Sequence, residues 1–192
     1  AFPVMFLGRA LGSAFASPPA PRSLEAQRLS LGISGEMANG FDMDLNYTYS
    51  AEQNEGKQPD TSTSRFLNAI RGGSGSPGTW NLFDSTSNSH ELIDYISTAQ
   101  GTFVDVDLHV LDFVMTGTVN DLEVATGFQM RKEHHDVARN DDSIAGFDAN
   151  GNLAVPADLI FLGGGIETSA SRSAYAIFAE AAKQASERVE LR

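Results

Sequence analysis

Two neighbouring histidines, His134 and His135, directly precede Asp136, and Asp141 and Asp142 follow shortly after. Imidazole nitrogens and carboxylate oxygens gathered in one place are the donor set of a zinc or iron site. Neighbours on a strand point to opposite faces, so at most one of the two histidines could join any given site. The run therefore reads as a solvated, charged loop, and no metal ligand set is assigned. Two carboxylate pairs, Asp42 with Asp44 and Asp105 with Asp107, stand two residues apart and share a strand face, as general acid–base work would require. A polar sheet wall places them there without any catalytic need. No Ser/His/Asp order or cofactor fingerprint accompanies them, so the chain reads as a non-enzyme with no catalytic residue and no cofactor.

Other candidates are weaker still. GGSGSPG and the run Gly163-Gly164-Gly165 lack the Lys-Ser/Thr of a phosphate loop and read as flexible loop tips. FDANGNL has the look of a calcium loop, but Gly151 in its sixth position puts Gly146, not an aspartate, in the first, and no glutamate closes it; a turn is expected. Trp80, Asn81 and Phe83, with His134 and His135, are the candidate ligand-contacting residues. For the Trp80-Asn81-Leu82-Phe83 stretch, packing of the loop is the stronger reading, because buried aromatics more often serve structure. The same loop should hold a short helix with Asn88 as N-cap, Glu91 completing a capping box, and Leu92, Tyr95 and Ile96 on one side.

What positions these residues is a β framework. The chain has 192 residues, 41% of them hydrophobic, enough for one ordinary core or for a piece of a larger domain. Its 13 basic and 25 acidic residues give a formal charge of −12, which repels a phosphate backbone and argues against nucleic-acid binding. Without cysteine there is no disulfide framework, redox pair or thiolate metal site. No apolar run approaches the roughly 18 to 20 residues of a membrane-spanning helix, but a membrane β-barrel announces itself by alternation instead. VMFLGRALGSAFAS near the start reads either as a short strand over 2–9 or as the remains of a secretory signal over 1–16.

Alternation is what the chain displays. In RLSLGISGEM, Leu29, Leu31, Ile33, Gly35 and Met37 share one face and Arg28, Ser30, Gly32, Ser34 and Glu36 the other. In GFDMDLNYTYS, Phe41, Met43, Leu45, Tyr47 and Tyr49 oppose Asp42, Asp44, Asn46, Thr48 and Ser50. A three-residue Ala38-Asn39-Gly40 loop keeps the faces matched by pairing Met37 with Phe41 and Ile33 with Leu45, with Gly40 at its positive-φ position. A second hairpin turns at Asn120-Asp121, pairing Val119 with Leu122 and making Leu111, Phe113, Met115, Leu122, Val124, Thr126, Phe128 and Met130 one apolar face. Upstream the phase reverses, and a β-bulge is expected at Val110-Leu111. The expected strands lie near 2–9, 24–37, 41–50, 102–119, 122–134, 172–182 and 187–192, with long loops at 51–101 and 135–171.

Such a pattern suits a soluble sandwich or a membrane barrel. Tight turns at one end and long loops at the other, a strand about ten residues long, and Tyr47 and Tyr49 at a girdle position favour the barrel. On that reading Leu31, Leu45, Tyr47, Phe128 and Met130 lie on a convex lipid side, and Asp44, Asn46, Gln129 and Arg131 on the concave side.

RLSLGISGEMANGFDMDLNYTYS, RFLNAI, GTWNLFD, NSHELIDYI, VMTGTV, EVATGFQMRKE and SRSAYAIFAEAAKQASERVELR, in that order, resemble the barrel domain of TonB-dependent outer-membrane receptors over most of residues 22–192. The resemblance implies an all-β fold: an antiparallel meander of about seven strands forming an open, curved part of a transmembrane β-barrel, where complete plugged barrels have about 22 strands. Long extracellular loops containing short helices would complete it. Nothing matches the TonB box or plug, so residues 1–192 are expected to be an internal fragment of the receptor barrel. The implied function is active uptake of a scarce nutrient, a ferric siderophore, cobalamin or a glycan, by a receptor of a Gram-negative outer membrane. The fragment alone would not transport. Its expected partners are outer-membrane lipid, the remaining barrel and plug, and, through the plug, the TonB complex. The competing expectation is a soluble, acidic, β-rich binding module that recognises a ligand with its long loops.

Overall fold

The computed structural model describes residues 10–11, 18–186 and 189–191. The expected strand over 2–9 lies outside the described residues, as does most of the signal-like segment. The fold is mostly antiparallel β: β1 (Arg22–Glu36), β2 (Asp42–Thr61), β3 (Ser97–Val119), β4 (Leu122–Arg139), β5 (Gly146–Phe147), β6 (Leu153–Val155), β7 (Thr168–Ser186) and β8 (Val189–Leu191), with two short helices, α1 (Thr63–Ile70) and α2 (His90–Ile96). The main sheet runs in the order β1-β2-β3-β4-β7-β8 and is not closed, and β5 and β6 form a hairpin of their own. The expected meander is therefore observed, with β8 the described part of the strand expected over 187–192.

The turns are those the sequence chemistry calls for. Met37 N–H donates to the Phe41 carbonyl at 2.7 Å, Gly40 N–H donates to the Met37 carbonyl at 2.9 Å, and Gly40 sits at φ +79°. This is the three-residue loop that only a residue without Cβ closes easily. Asn120 and Asp121 both take positive φ, 49° and 65°, as a two-residue type I′ turn demands. From each turn the register runs on without slipping. Ser30 and Thr48 hydroxyls meet at 3.2 Å, and Lys57 N–H reaches the Pro21 carbonyl at 3.0 Å. Phe113 stacks on Phe128 with centroids 5.6 Å apart, and the Gln129 amide reaches Asp112 at 2.6 Å.

Two expectations about the strands are corrected. The strands outrun the alternating pattern: residues 51–61, 97–101, 135–139 and 168–171, expected as loop, are strand. Polar residues occupy both faces there, so the segments pair through their backbones without a hydrophobic signature. The bulge at Val110-Leu111 is absent from the pairing of β2 with β3. Phe41 lies over Gly117, the Tyr49 ring is 4.9 Å from that of His109, and Ser62 N–H donates to the Ile96 carbonyl, one register throughout. Asp105, Asp107 and His109 therefore share the face of Leu111, Phe113 and Met115. The face changes its chemistry along the strand; the strand does not change its phase.

The chain divides into two compact units. One contains residues 24–53, 104–136 and 168–192, the sheet with its tight turns. The other contains residues 1–23, 54–103 and 137–167, the strand ends with the long connections. Every buried apolar side chain among the described residues belongs to this second unit: Ala10, Phe66, Ala69, Trp80, Leu92 and Ile96 in one cluster, and Ala145, Ala157 and Leu159 in another. In α1, Ser62 caps the helix by accepting from Arg65 N–H at 3.2 Å, and Phe66 and Ala69 face inward. In α2 the cap is Ser89, which accepts from Leu92 N–H, and Leu92 and Ile96 are buried as expected. Asn88 is not the N-cap: its amide is spent holding the Asn81 backbone and the Ser85 carbonyl.

Candidate functional site

The sheet unit has a large apolar surface and, among the described residues, no buried apolar side chain. Continuous register lines the residues of the apolar face up in rungs across β1, β2, β3, β4 and β7. The first rung holds Met37, Phe41, Gly117 and Val124, and a later one Ile33, Leu45, Phe113, Phe128 and Ile177. The next holds Leu31, Tyr47, Leu111, Met130 and Tyr175. Neighbours within the sheet half-bury Leu45 and Tyr47, but Leu31 keeps 60%, Ile33 64%, Tyr175 75% and Ile177 87% of its surface exposed. No second sheet covers them among the described residues.

The apolar rungs end sharply. Leu29, Tyr49, His109 and Lys132 form the boundary, where the His109 ring lies beside Tyr49, its Nδ1 is 2.8 Å from the Tyr47 hydroxyl, and its Nε2 is 3.3 Å from Asp107. Beyond it the same face carries Gln27, Ala51, Asp107 and His134, then Glu25, Gln53, Asp105 and Asp136. A groove of about 620 Å³ opens there, lined by Glu25, Gln27, Gln53, Asp105 and Asp107 among others. Walls this polar do not suit an apolar ligand. From Met37 to Leu29 the band spans roughly 27 Å along a strand, or about 21 Å at a barrel-like tilt of about 40°, close to the apolar belt of about 25 Å that outer-membrane barrels present to lipid.

The opposite face is polar on β2 and over most of β4, while β3 adds Val104, Val106, Leu108, Val110 and Val114 to it and β7 adds Phe178. Asp42, Asp44, Asn46, Thr48, Asp112, Gln129, Arg131, Glu133 and Arg172 alternate with the apolar set. Glu133 accepts from both Arg131, at 2.5 Å, and Arg172, at 2.6 Å. Gly127 on this face lies beneath Phe178, whose ring atoms come within 2.5 Å of where a Cβ would stand.

The candidate ligand-contacting residues are dispersed. Trp80 is buried and meets Phe66 edge-to-face at 5.8 Å, which makes it the packing residue that the loop reading favoured. The Asn81 side chain accepts from the Phe83 and Asp84 amides and so shapes a turn, on which Phe83 stands 95% exposed. In the other unit, on β4, His134 Nδ1 lies 3.0 Å from the Ser171 hydroxyl, and His135 is on the opposite face. The FDANGNL segment forms the β5–β6 turn. Hydrogen bonds from Asn152, backbone first and then side chain, and from the Asn150 backbone hold the Asp148 carboxyl below its ordinary pKa, and Gly151 takes φ +81°.

Three aspartates tie the long connections together: Asp142, expected in a solvated charged loop, and Asp60 and Asp158, which sequence reasoning missed. Asp158 accepts from the Ser62 hydroxyl at 2.5 Å, the Ser64 hydroxyl at 2.7 Å and the Ser64 N–H at 2.7 Å, at the N-terminus of α1. Partial burial raises its pKa, but the Ser62 and Ser64 hydrogen bonds and the Arg65 charge outweigh that and leave it below the usual value. Asp142 accepts from Arg65 at 2.6 Å and from the Thr98 hydroxyl. Asp60 receives the Phe161 and Leu162 amides. No signal in a single sequence pairs positions nearly a hundred residues apart.

No protein-family profile, curated protein or solved structure gives a significant match to the chain.

Proposed function

We propose that this chain is part of the wall of an outer-membrane β-barrel, in a TonB-dependent receptor that takes up a scarce nutrient such as a ferric siderophore, cobalamin or a glycan. The observation that carries the membrane reading is the band of exposed apolar rungs from Met37 to Leu29, bounded by Tyr49, His109 and Lys132, on a sheet that among the described residues buries no apolar side chain of its own. Lipid is the solvent that makes such a face favourable, since its burial there removes apolar area from water at about 25 cal/mol per Å². Soluble monomers rarely leave patches larger than about 300 to 600 Å² open. The choice of receptor family rests on the sequence words quoted above. No helix among the described residues is long and apolar enough to cross a membrane.

In this role the apolar face meets outer-membrane lipid and the polar face the interior of the barrel. The edge of β1, open among the described residues, requires a further strand beside it, because an unpaired backbone group in hydrocarbon costs several kcal/mol. The remaining barrel and a plug would supply closure and coupling to the TonB complex, so the uptake belongs to the assembled receptor.

The chain has no cysteine, which allows clean labelling. Ile177→Cys and Ala176→Cys, neighbours on opposite faces of β7, would each carry a bimane fluorophore in micelles of a brominated alkyl detergent. Strong quenching at 177 and little at 176 is expected. Equal quenching, or a chain that is monomeric in plain buffer with neither position quenched, would establish the soluble binding module instead. Uptake is tested in the host: deletion of the coding segment should abolish growth on one of the three nutrient classes, and undiminished growth on all of them overturns the receptor assignment.

A further inference from the structure

The connections on either side of β3 and β4 are residues 62–96 and 140–167. Here each has its own small core, and the ties between them are polar, directional and spread over three carboxylates. Asp158, in the second connection, occupies the N-terminus of α1 in the first, accepting from Ser62, from the Ser64 hydroxyl and from the Ser64 backbone. Arg65, one residue on, donates to Asp142 at 2.6 Å, and Asp142 also receives the Thr98 hydroxyl at the start of β3. Asp60, at the end of β2, receives the amides of Phe161 and Leu162. Backbone bonds run alongside: Ile160 N–H to the Thr61 carbonyl at 3.0 Å, and Asp158 N–H to the Asp142 carbonyl at 2.8 Å.

We infer that these two connections are latched into a single body that opens and closes as one, with Asp158 at the α1 N-terminus as the bolt. The geometry makes the coupling mutual. Withdrawing 153–162 strips α1 of an acceptor for two hydroxyls and a backbone N–H and leaves Ser62, itself fully buried, without its carboxylate partner. Unwinding the first turn of α1 removes all three of Asp158's side-chain donors at once and pulls Arg65 from Asp142. A charged hydrogen-bonded group left unsatisfied is the costly outcome in either case, so neither connection leaves the other intact. The Asp148 turn, by contrast, is closed on its own segment and stands outside the latch. The inference is independent of what covers the apolar sheet face.

Hydrogen–deuterium exchange of the full chain in detergent micelles tests it. Asp158→Ala should speed exchange at least tenfold in both 62–72 and 153–165, and Ser64→Ala should do so in both to a smaller extent. Asp148→Ala should speed exchange only around 146–155. Acceleration in Asp158→Ala confined to the 140–167 connection overturns the latch. Should Asp158→Ala fail to fold, the paired variant Ser64→Cys with Asp158→Cys answers the same question: oxidising it should slow exchange in both connections, and slowing restricted to the residues beside the crosslink refutes the coupling.

Discussion

Replacing Ile177 by arginine separates a lipid-facing strand from a water-facing one more cleanly than any other single change. Its side chain is 87% exposed and its rung, with Ile33, Leu45, Phe113 and Phe128, lies midway along the apolar band. In water the substitution removes no packing, and an exposed site tolerates such a change within about 0.5 kcal/mol. In hydrocarbon an arginine near the mid-plane of a barrel wall costs about 2 to 4 kcal/mol. At about 1.36 kcal/mol per decade this is a shift of about 30- to 900-fold in the folded-to-unfolded ratio. Arginine scanned through Ala181, Ile177, Tyr175, Ser173 and Ser171, read by urea titration of the far-ultraviolet circular dichroism in micelles, should trace a profile peaked near 177 and close to zero at 171. A flat profile, or one rising toward 171, would refute the lipid-facing assignment and with it the rung alignment of β7.

Further expectations concern the turn, the latch, the close contacts and the open edge. Asp121→Gly should stabilise the hairpin by up to about 1 kcal/mol, measured by the same titration, because glycine takes the positive φ without the Cβ penalty. Asp158 is held below its ordinary pKa, so its stabilising contribution is fully present above the unfolded carboxylate value and is lost as pH falls through the lower folded value. Exchange in 62–72 should thus be insensitive to pH-dependent opening near neutrality and rise only in strong acid, an acid limb that Asp158→Asn should remove. Gly127→Ala would place a methyl 2.3 Å from the Phe113 carbonyl oxygen and should cost about 1 to 3 kcal/mol by overpacking. In planar bilayers the chain alone should give no uniform channel steps, since among the described residues no strand pairs with the outer edge of β1.

The sequence was most informative where local chemistry and side-chain period coincide. Gly40 and the Asn120-Asp121 pair select their turns by backbone sterics, and once the turns are placed, period-two alternation assigns a face to each side chain over residues 29–50 and 111–130. Alternation failed where both faces are polar: residues 51–61 and 135–139 pair through backbone groups that carry no residue signature. The reversal at Val110-Leu111 looked like a slip in phase because a face was assumed to keep one solvent for its whole length. The pattern of hydroxyls and carboxylates around α1 was out of reach, since Ser62 and Asp158 are brought together only by the folded path of the chain. Trp80 was legible as a packing residue, whereas Asn88, the expected N-cap of α2, gives that place to Ser89.

Two aromatic rings resting on bare backbone, Phe41 over Gly117 and Phe178 against Gly127, supply the sheet with a proofreading device. A strand displaced by two residues keeps every side chain on its proper face, so alternation alone cannot reject that error. The displaced rings would then strike a side chain where the correct alignment offers an empty slot. Because one ring sits on the apolar face and the other on the polar face, the check operates whichever side is solvated first, and a sheet without a core still recognises its single correct alignment.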